Sequence, residues 1–193
     1  MSKVLLYDAL QASYGDKKGE EALKKAGYKY DSMLSSHKQK VWVNPQTKKM
    51  LFNVAGSHNV RDFVITDVAL ALGGLKYTPR YWSADHTLKE AKKKYAGYDT
   101  TVTGHSLGST IGQQIASKGN GDKFYGLDGG FTIGQKLSDN KNFHNYRVRG
   151  DLVSGVASFN PNMTTLKNKG ILGIQGAYLS HGLNHIKDEK IYV

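Results

Sequence analysis

The segment Val102–Thr110, VTGHSLGST, sets Ser106 between Gly104 and Gly108 in a Gly-x-Ser-x-Gly pattern. A serine in that setting does acyl transfer: its hydroxyl attacks a carbonyl once a neighbouring base takes its proton. The pentapeptide says little alone in a chain with 22 glycines, so its surroundings decide. YDTTVTG reads as a strand leading in, and Leu107 to Lys118 reads as a helix closed by Gly119. At a strand–turn–helix corner the serine takes a strained backbone and its hydroxyl projects above the sheet edge. Gly104 and Gly108 keep side chains out of the crowded corner. The N-terminus of the following helix brings unpaired N–H groups and a positive dipole end to a developing oxyanion.

The partners of such a serine follow it in the order acid, then histidine. His144, His181 and His185 lie beyond Ser106. His144 opens a strand too early and reads as structural. His181 in LSHGLNHI directly follows an apolar segment, which would present it over the sheet edge. His185, one helical turn later, is the alternative base. The HxxxH spacing also fits a metal pair, but no adjacent glutamate or third ligand supports one, so no metal is expected. Asp151 in YRVRGDLVS directly follows a strand and is the leading acid. Asp128 in YGLDGG is the alternative, and Asp139 lies in a polar loop. Two backbone N–H groups would hold the oxyanion: that of Leu107, and that of Ser57 in the loop after LFNVAG.

These residues need a scaffold. Residues 3–13 and 17–26 read as short helices, the second capped by Gly27. Val41 to Val43 and Met50 to Val54 flank the turn-forming NPQTKK as a hairpin. Residues 59–72 carry a helical apolar period stopped by Gly73-Gly74. KYTPRYWS reads as an aromatic loop, and a basic amphipathic helix follows from about Ala84 to Tyr95. KFYGLDGG and FHNYRVRG read as strands, residues 152–170 mostly as loop, and ILGIQGAYLS as a late strand or buried segment. Helices and strands in alternation imply an α/β fold, with reactive groups at the carboxyl ends of the strands.

The chain has 193 residues, no cysteine and a net charge of +11. That length suits one domain spanning residues 1–193. The lack of cysteine excludes a disulfide framework and thiolate metal sites. The only apolar run near the N-terminus, Val4 to Tyr7, is too short for a secretory signal. No stretch approaches a membrane span, so a soluble, cytoplasmic protein is expected. The positive charge would attract anionic surfaces, although clusters such as Lys92, Lys93 and Lys94 read first as the wet face of a helix. No RRM-like or zinc-finger signature is present, so no specific nucleic-acid partner is expected.

Together these residues resemble the class 3 lipase family. AGSHNVRDFVITDV resembles the family's Gly-Thr or Gly-Ser pair and the helix with spaced acids, here Asp62 and Asp67. YDTTVTGHSLGST matches its Gly-His-Ser-Leu-Gly elbow, and RVRGDLVS matches its strand leading to an aspartate. The resemblance spans about Val41 to His185. It departs at Ala55, where the family carries an arginine, and in the terminal histidine motif.

The resemblance implies an α/β-hydrolase-like three-layer sandwich, a mostly parallel central sheet with helices on both faces. It also implies a serine esterase without cofactor, acting on a lipid or ester substrate such as an acylglycerol or phospholipid. Ser106, His181 and Asp151 would form the triad, with Ser57 and Leu107 as the oxyanion hole. Tyr77, Tyr81 and Trp82 would line an acyl groove, or else plug the core. The basic surface would favour an anionic membrane. The alternative is a catalytically weak or inactive hydrolase-like domain that binds anionic lipid or another partner.

Overall fold

Asn44 begins the turn that makes the first long-range pairing: its side-chain carbonyl accepts from the Thr47 N–H (3.2 Å). Lys48 closes the turn in the left-handed region at φ 49°. The flanking runs pair antiparallel as β2 (Gln39–Asn44) and β3 (Lys49–Val54), so the predicted hairpin is present. The computed structural model describes residues 3–57, 76, 78–119, 121–130, 140–151, 154, 162–167 and 182–193. The expected helix over 59–72, the segment 171–180, Tyr77 and His181 lie outside the described residues.

Among the described residues, seven strands form one sheet in sequence order. β1 (Lys29–Tyr30) pairs antiparallel with β2. From β3 onward every pairing is parallel, through β4 (Asp99–His105), β5 (Lys123–Leu127), β6 (Phe143–Val148) and β7 (Met163–Leu166). Side-chain alternation then feeds two cores. On one face Val41, Phe52, Val54, Val102 and Phe124 pack against α3 (Pro79–Lys94) and α4 (Leu107–Ala116), through Tyr81, Leu88, Ile111 and Ile115. On the other face Trp42 and Leu51 meet α1 (Leu6–Ser13) and α2 (Lys17–Lys25), through Ala9, Ala12 and Leu23. This is the α/β fold that the alternation of helices and strands implied, with the mostly parallel sheet that the resemblance implied.

The helix ends follow their sequence signals. Asp16 caps α2 by accepting from the Lys18 and Gly19 N–H groups. Gly27 turns the chain out of it at φ 88°. Two expectations fail. The aromatic loop is not a loop: Thr78 caps α3 by accepting from the Tyr81 N–H (3.2 Å), and Pro79 takes the first helical position. The helix therefore starts five residues earlier than its amphipathic pattern indicates and carries Tyr81 and Trp82. The second is Met163–Leu166, expected as loop, which forms β7, the last strand of the sheet among the described residues. Its residues are half-buried or exposed, which leaves little apolar alternation to read.

Candidate active site

The register of the parallel strands brings the candidate residues into one row. Val54 is opposite Gly104, His105 opposite Leu127, and Leu127 opposite Tyr146. Just beyond those pairs lie Ser57 after β3, Ser106 after β4, Asp128 after β5 and Asp151 after β6. Four consecutive strands thus deliver an oxyanion-donor candidate, a nucleophile candidate and two carboxyl groups to the same sheet edge, where α/β sheets build their sites.

Ser106 stands at the corner between β4 and α4 at φ 56°, ψ −129°. A non-glycine residue holds that conformation at a cost of about 1–3 kcal/mol, and only when its surroundings enforce it. Three features do so. The Ser106 N–H donates to the Leu127 carbonyl (2.9 Å), pinning the corner to the end of β5. The Ser106 carbonyl accepts from the Ser109 N–H (2.9 Å) and the Thr110 N–H (3.2 Å), starting the helix. Finally, a Cβ on Gly104 would strike the Gly108 carbonyl, and one on Gly108 would strike the carbonyls of Val54 and Ala55. Glycine at both positions allows β3, β4 and α4 to approach this closely. Leu107 opens α4, so its N–H is among those left without an intrahelical acceptor.

His105, beside the serine, points to the opposite face. Its Nδ1 is hydrogen-bonded to the Tyr14 hydroxyl (2.7 Å), which also accepts from the Gly56 N–H (2.9 Å). Burial pushes the Tyr14 phenol up to about 12, against smaller opposing effects of the Gly56 bond and the Arg80 charge. From the α3 side, Arg80 reaches the same loop and donates to the carbonyls of Ala55 and Gly56 and to Ser57 Oγ.

The two carboxyl groups meet at Ser154. Asp151 Oδ2 accepts from the Ser154 N–H (2.7 Å) and hydroxyl (2.6 Å). Asp128 is fully buried at φ 49°, its Oδ1 accepting from the Val148 N–H (2.8 Å) and, at 3.4 Å, lying near the Ser154 hydroxyl. Burial first, and the neighbouring Asp151 second, push Asp128 well above the usual carboxylate range. Asp128 also ties β5 to β6, since its own N–H donates to the Tyr146 carbonyl (2.9 Å). It thus shapes the chain between two strands while Asp151 lies beyond the second.

His185 lies in a single 3-10 turn, Leu183–Ile186, and is buried. Its neighbour Ile186 packs with Leu127 and Val148, the last residues of β5 and β6, and with Leu6 and Leu10 of α1. His144 sits within β6, stacked on Tyr125 at 4.7 Å between ring centroids, as a structural residue would. Of the aromatic candidates, Tyr81 is buried in the core and Trp82 is 64% exposed. Both border a surface groove of about 420 Å³ with Lys76, Asp85, His86, Lys89 and Lys118. Among the described residues, no cluster of three or more histidine, aspartate or glutamate side chains is arranged to hold a metal ion.

Sequence reading did not single out Tyr14, Arg80 or Ser154. Tyr14 and Arg80 meet the site's loop only through tertiary folding, whereas Ser154 lies three residues beyond Asp151 at the end of RVRGDLVS.

No family model matches the sequence, and no curated protein matches it. Solved structures do. The chain is similar to the Lip2 lipase of Yarrowia lipolytica, with 16% identity and TM-score 0.57 over 83% of this chain and 76% of that one. It is similar to the Rhizomucor miehei lipase in a propeptide complex, with 15% identity and TM-score 0.60 over 94% and 76% of the two chains. A triacylglycerol lipase whose catalytic centre is a serine protease triad gives 14% identity and TM-score 0.57 over 86% and 78%. Identities this low establish the fold alone, an α/β-hydrolase-like sandwich.

Proposed function

We propose that the protein is a serine esterase of lipase type, cleaving carboxylic esters through an acyl-enzyme on Ser106. The observation that carries this reading is the strained Ser106 backbone at φ 56°, ψ −129°, between two glycines that admit no side chain. A turn with no chemical duty gains nothing from holding a serine in that conformation.

In the proposed reaction His181 takes the Ser106 proton as Oγ attacks the ester carbonyl, and Asp151 orients the imidazole and stabilises its charge. His185 is the second candidate base, favoured by its burial and by the packing of its neighbour Ile186 against the last residues of β5 and β6. The oxyanion forms against the N–H groups of Leu107 and Ser57. Its collapse expels the alcohol, protonated by the same histidine, and water then releases the acid by the reverse proton path. Asp151 is preferred to Asp128 because burial and the neighbouring carboxyl group both oppose ionisation of Asp128, and an imidazolium calls for an ionised partner. The lipases of similar fold support an acylglycerol or phospholipid ester as the substrate class.

Hydrolysis of a panel of short-chain, triglyceride and phospholipid esters tests this. Turnover is expected in the intact protein, and its loss is expected in Ser106→Ala and in one of His181→Ala and His185→Ala. Equal turnover in Ser106→Ala would overturn the proposal and favour a binding domain that retains the corner without the chemistry.

A further inference from the structure

The loop Ala55–Gly56–Ser57 is held from both faces of the sheet. On the α1 side, the Gly56 N–H donates to the Tyr14 hydroxyl (2.9 Å). On the α3 side, Arg80 Nη2 donates to the Ala55 carbonyl and to the Gly56 carbonyl (3.0 Å), while Nη1 reaches Ser57 Oγ (3.4 Å). Peptide planarity makes this informative. In a trans peptide the carbonyl and the following N–H point in opposite directions. The Ala55–Gly56 plane obeys this visibly, its carbonyl on Arg80 and its N–H on Tyr14. The Gly56–Ser57 plane has its carbonyl on Arg80 as well, so the Ser57 N–H is directed away from the guanidinium.

We propose that Arg80 is a positioning residue for the oxyanion hole: its fork fixes both peptide planes and thereby aims the Ser57 N–H at the reacting oxygen. The inference rests on the reading of Ser57 as an oxyanion donor and adds the group that orients it. A guanidinium suits the task because its planar set of donors engages two carbonyls and a hydroxyl at once, which a single ammonium on a flexible stem does not. Arg80 rides on the first turn of α3, which Thr78 caps and Tyr81 anchors in the core. The fork is therefore delivered by a rigid element. Three oxygens of this loop thus accept from one guanidinium.

Steady-state hydrolysis of a soluble short-chain ester by Arg80→Ala and Arg80→Lys tests the proposal, with thermal melting to confirm folding. Arg80→Ala is expected to lose about a hundredfold in kcat with little change in KM, the signature of a group that acts on the transition state. Arg80→Lys is expected to recover part of the loss. A folded Arg80→Ala with wild-type kcat, or a loss carried wholly by KM, would overturn the proposal. If the intact protein shows no Ser106-dependent turnover, the esterase reading falls, and amide hydrogen exchange at Gly56 and Ser57 decides the brace. Faster exchange in Arg80→Ala supports it, and unchanged exchange overturns it.

Discussion

Asp128 and Asp151 stand on neighbouring strand ends, share Ser154 and differ in what their surroundings ask of them. Asp128 has no exposed surface, and burial and its neighbour both oppose its ionisation. Substitution separates the two. Asp128→Asn mimics the protonated acid and is expected to leave kcat nearly intact, whereas Asp151→Asn is expected to lower it by as much as about ten-thousandfold. The reverse pattern in steady-state kinetics would move the triad acid to β5. The same difference has a pH signature. A raised folded-state pKa contributes stability in full below the unfolded value of about 3.8, and that stability is lost as pH rises toward the folded value. Chemical denaturation across that acidic window is expected to show a declining contribution in the wild type that Asp128→Asn lacks. The placements of Ser106 and its flanking glycines at the strand–helix corner were legible in sequence because a corner motif is local. Those of Tyr14 and Arg80 were not, since they depend on side chains 91 and 23 to 25 positions from their partners.

At the scale of elements, the strand ends matter more than the strand interiors. β3 and β4 are in register from Lys49–Asp99 to Val54–Gly104, and that register sets Gly56, the residue before Ser57, against Ser106. The hairpin, the corner and the two parallel strands after it were readable because each carries apolar residues bounded by turn formers. The start of α3 was misread because its aromatic residues masked a helix signal already present in Thr78-Pro79. β7 was missed because a half-exposed strand has no periodicity to reveal it. The Thr78 cap joins stability to the site. Thr78→Ala is expected to cost about 1 kcal/mol in urea denaturation, a typical loss for a helix cap. Fraying that turn also loosens Arg80, so a fall in kcat at temperatures where the chain remains folded is expected alongside. A stability loss with unchanged kcat would mean that α3 holds Arg80 without its cap.

Across the whole molecule, charge and fold bear on different questions. The net charge of +11 would attract anionic surfaces, yet the lysine run on the wet face of α3 is paired with acidic side chains. Lys92 pairs with Asp122, Lys93 with Glu90 and Lys94 with Asp31. Lys94 and Tyr95 both bond Asp31, and although its burial alone would raise that carboxyl, these bonds bring it below its ordinary range. Lys89 and Lys118 both pair with Asp85 beside Trp82. What remains of the basic surface acts at longer range. If it guides the protein to anionic lipid, raising salt from about 0.05 to 0.5 M is expected to depress hydrolysis in anionic vesicles far more than hydrolysis of a soluble ester. Equal salt sensitivity would remove charge from the account of substrate access. Among the described residues no helix is long and apolar enough to cross a membrane. The central claim is that the fold makes the Ser106 hydroxyl nucleophilic. Its most direct measurement is exposure of the intact protein to a fluorophosphonate, followed by peptide mass spectrometry. The account predicts one phosphonylated residue, Ser106, and none in Ser106→Ala; a wild-type protein unmodified at Ser106 would contradict it.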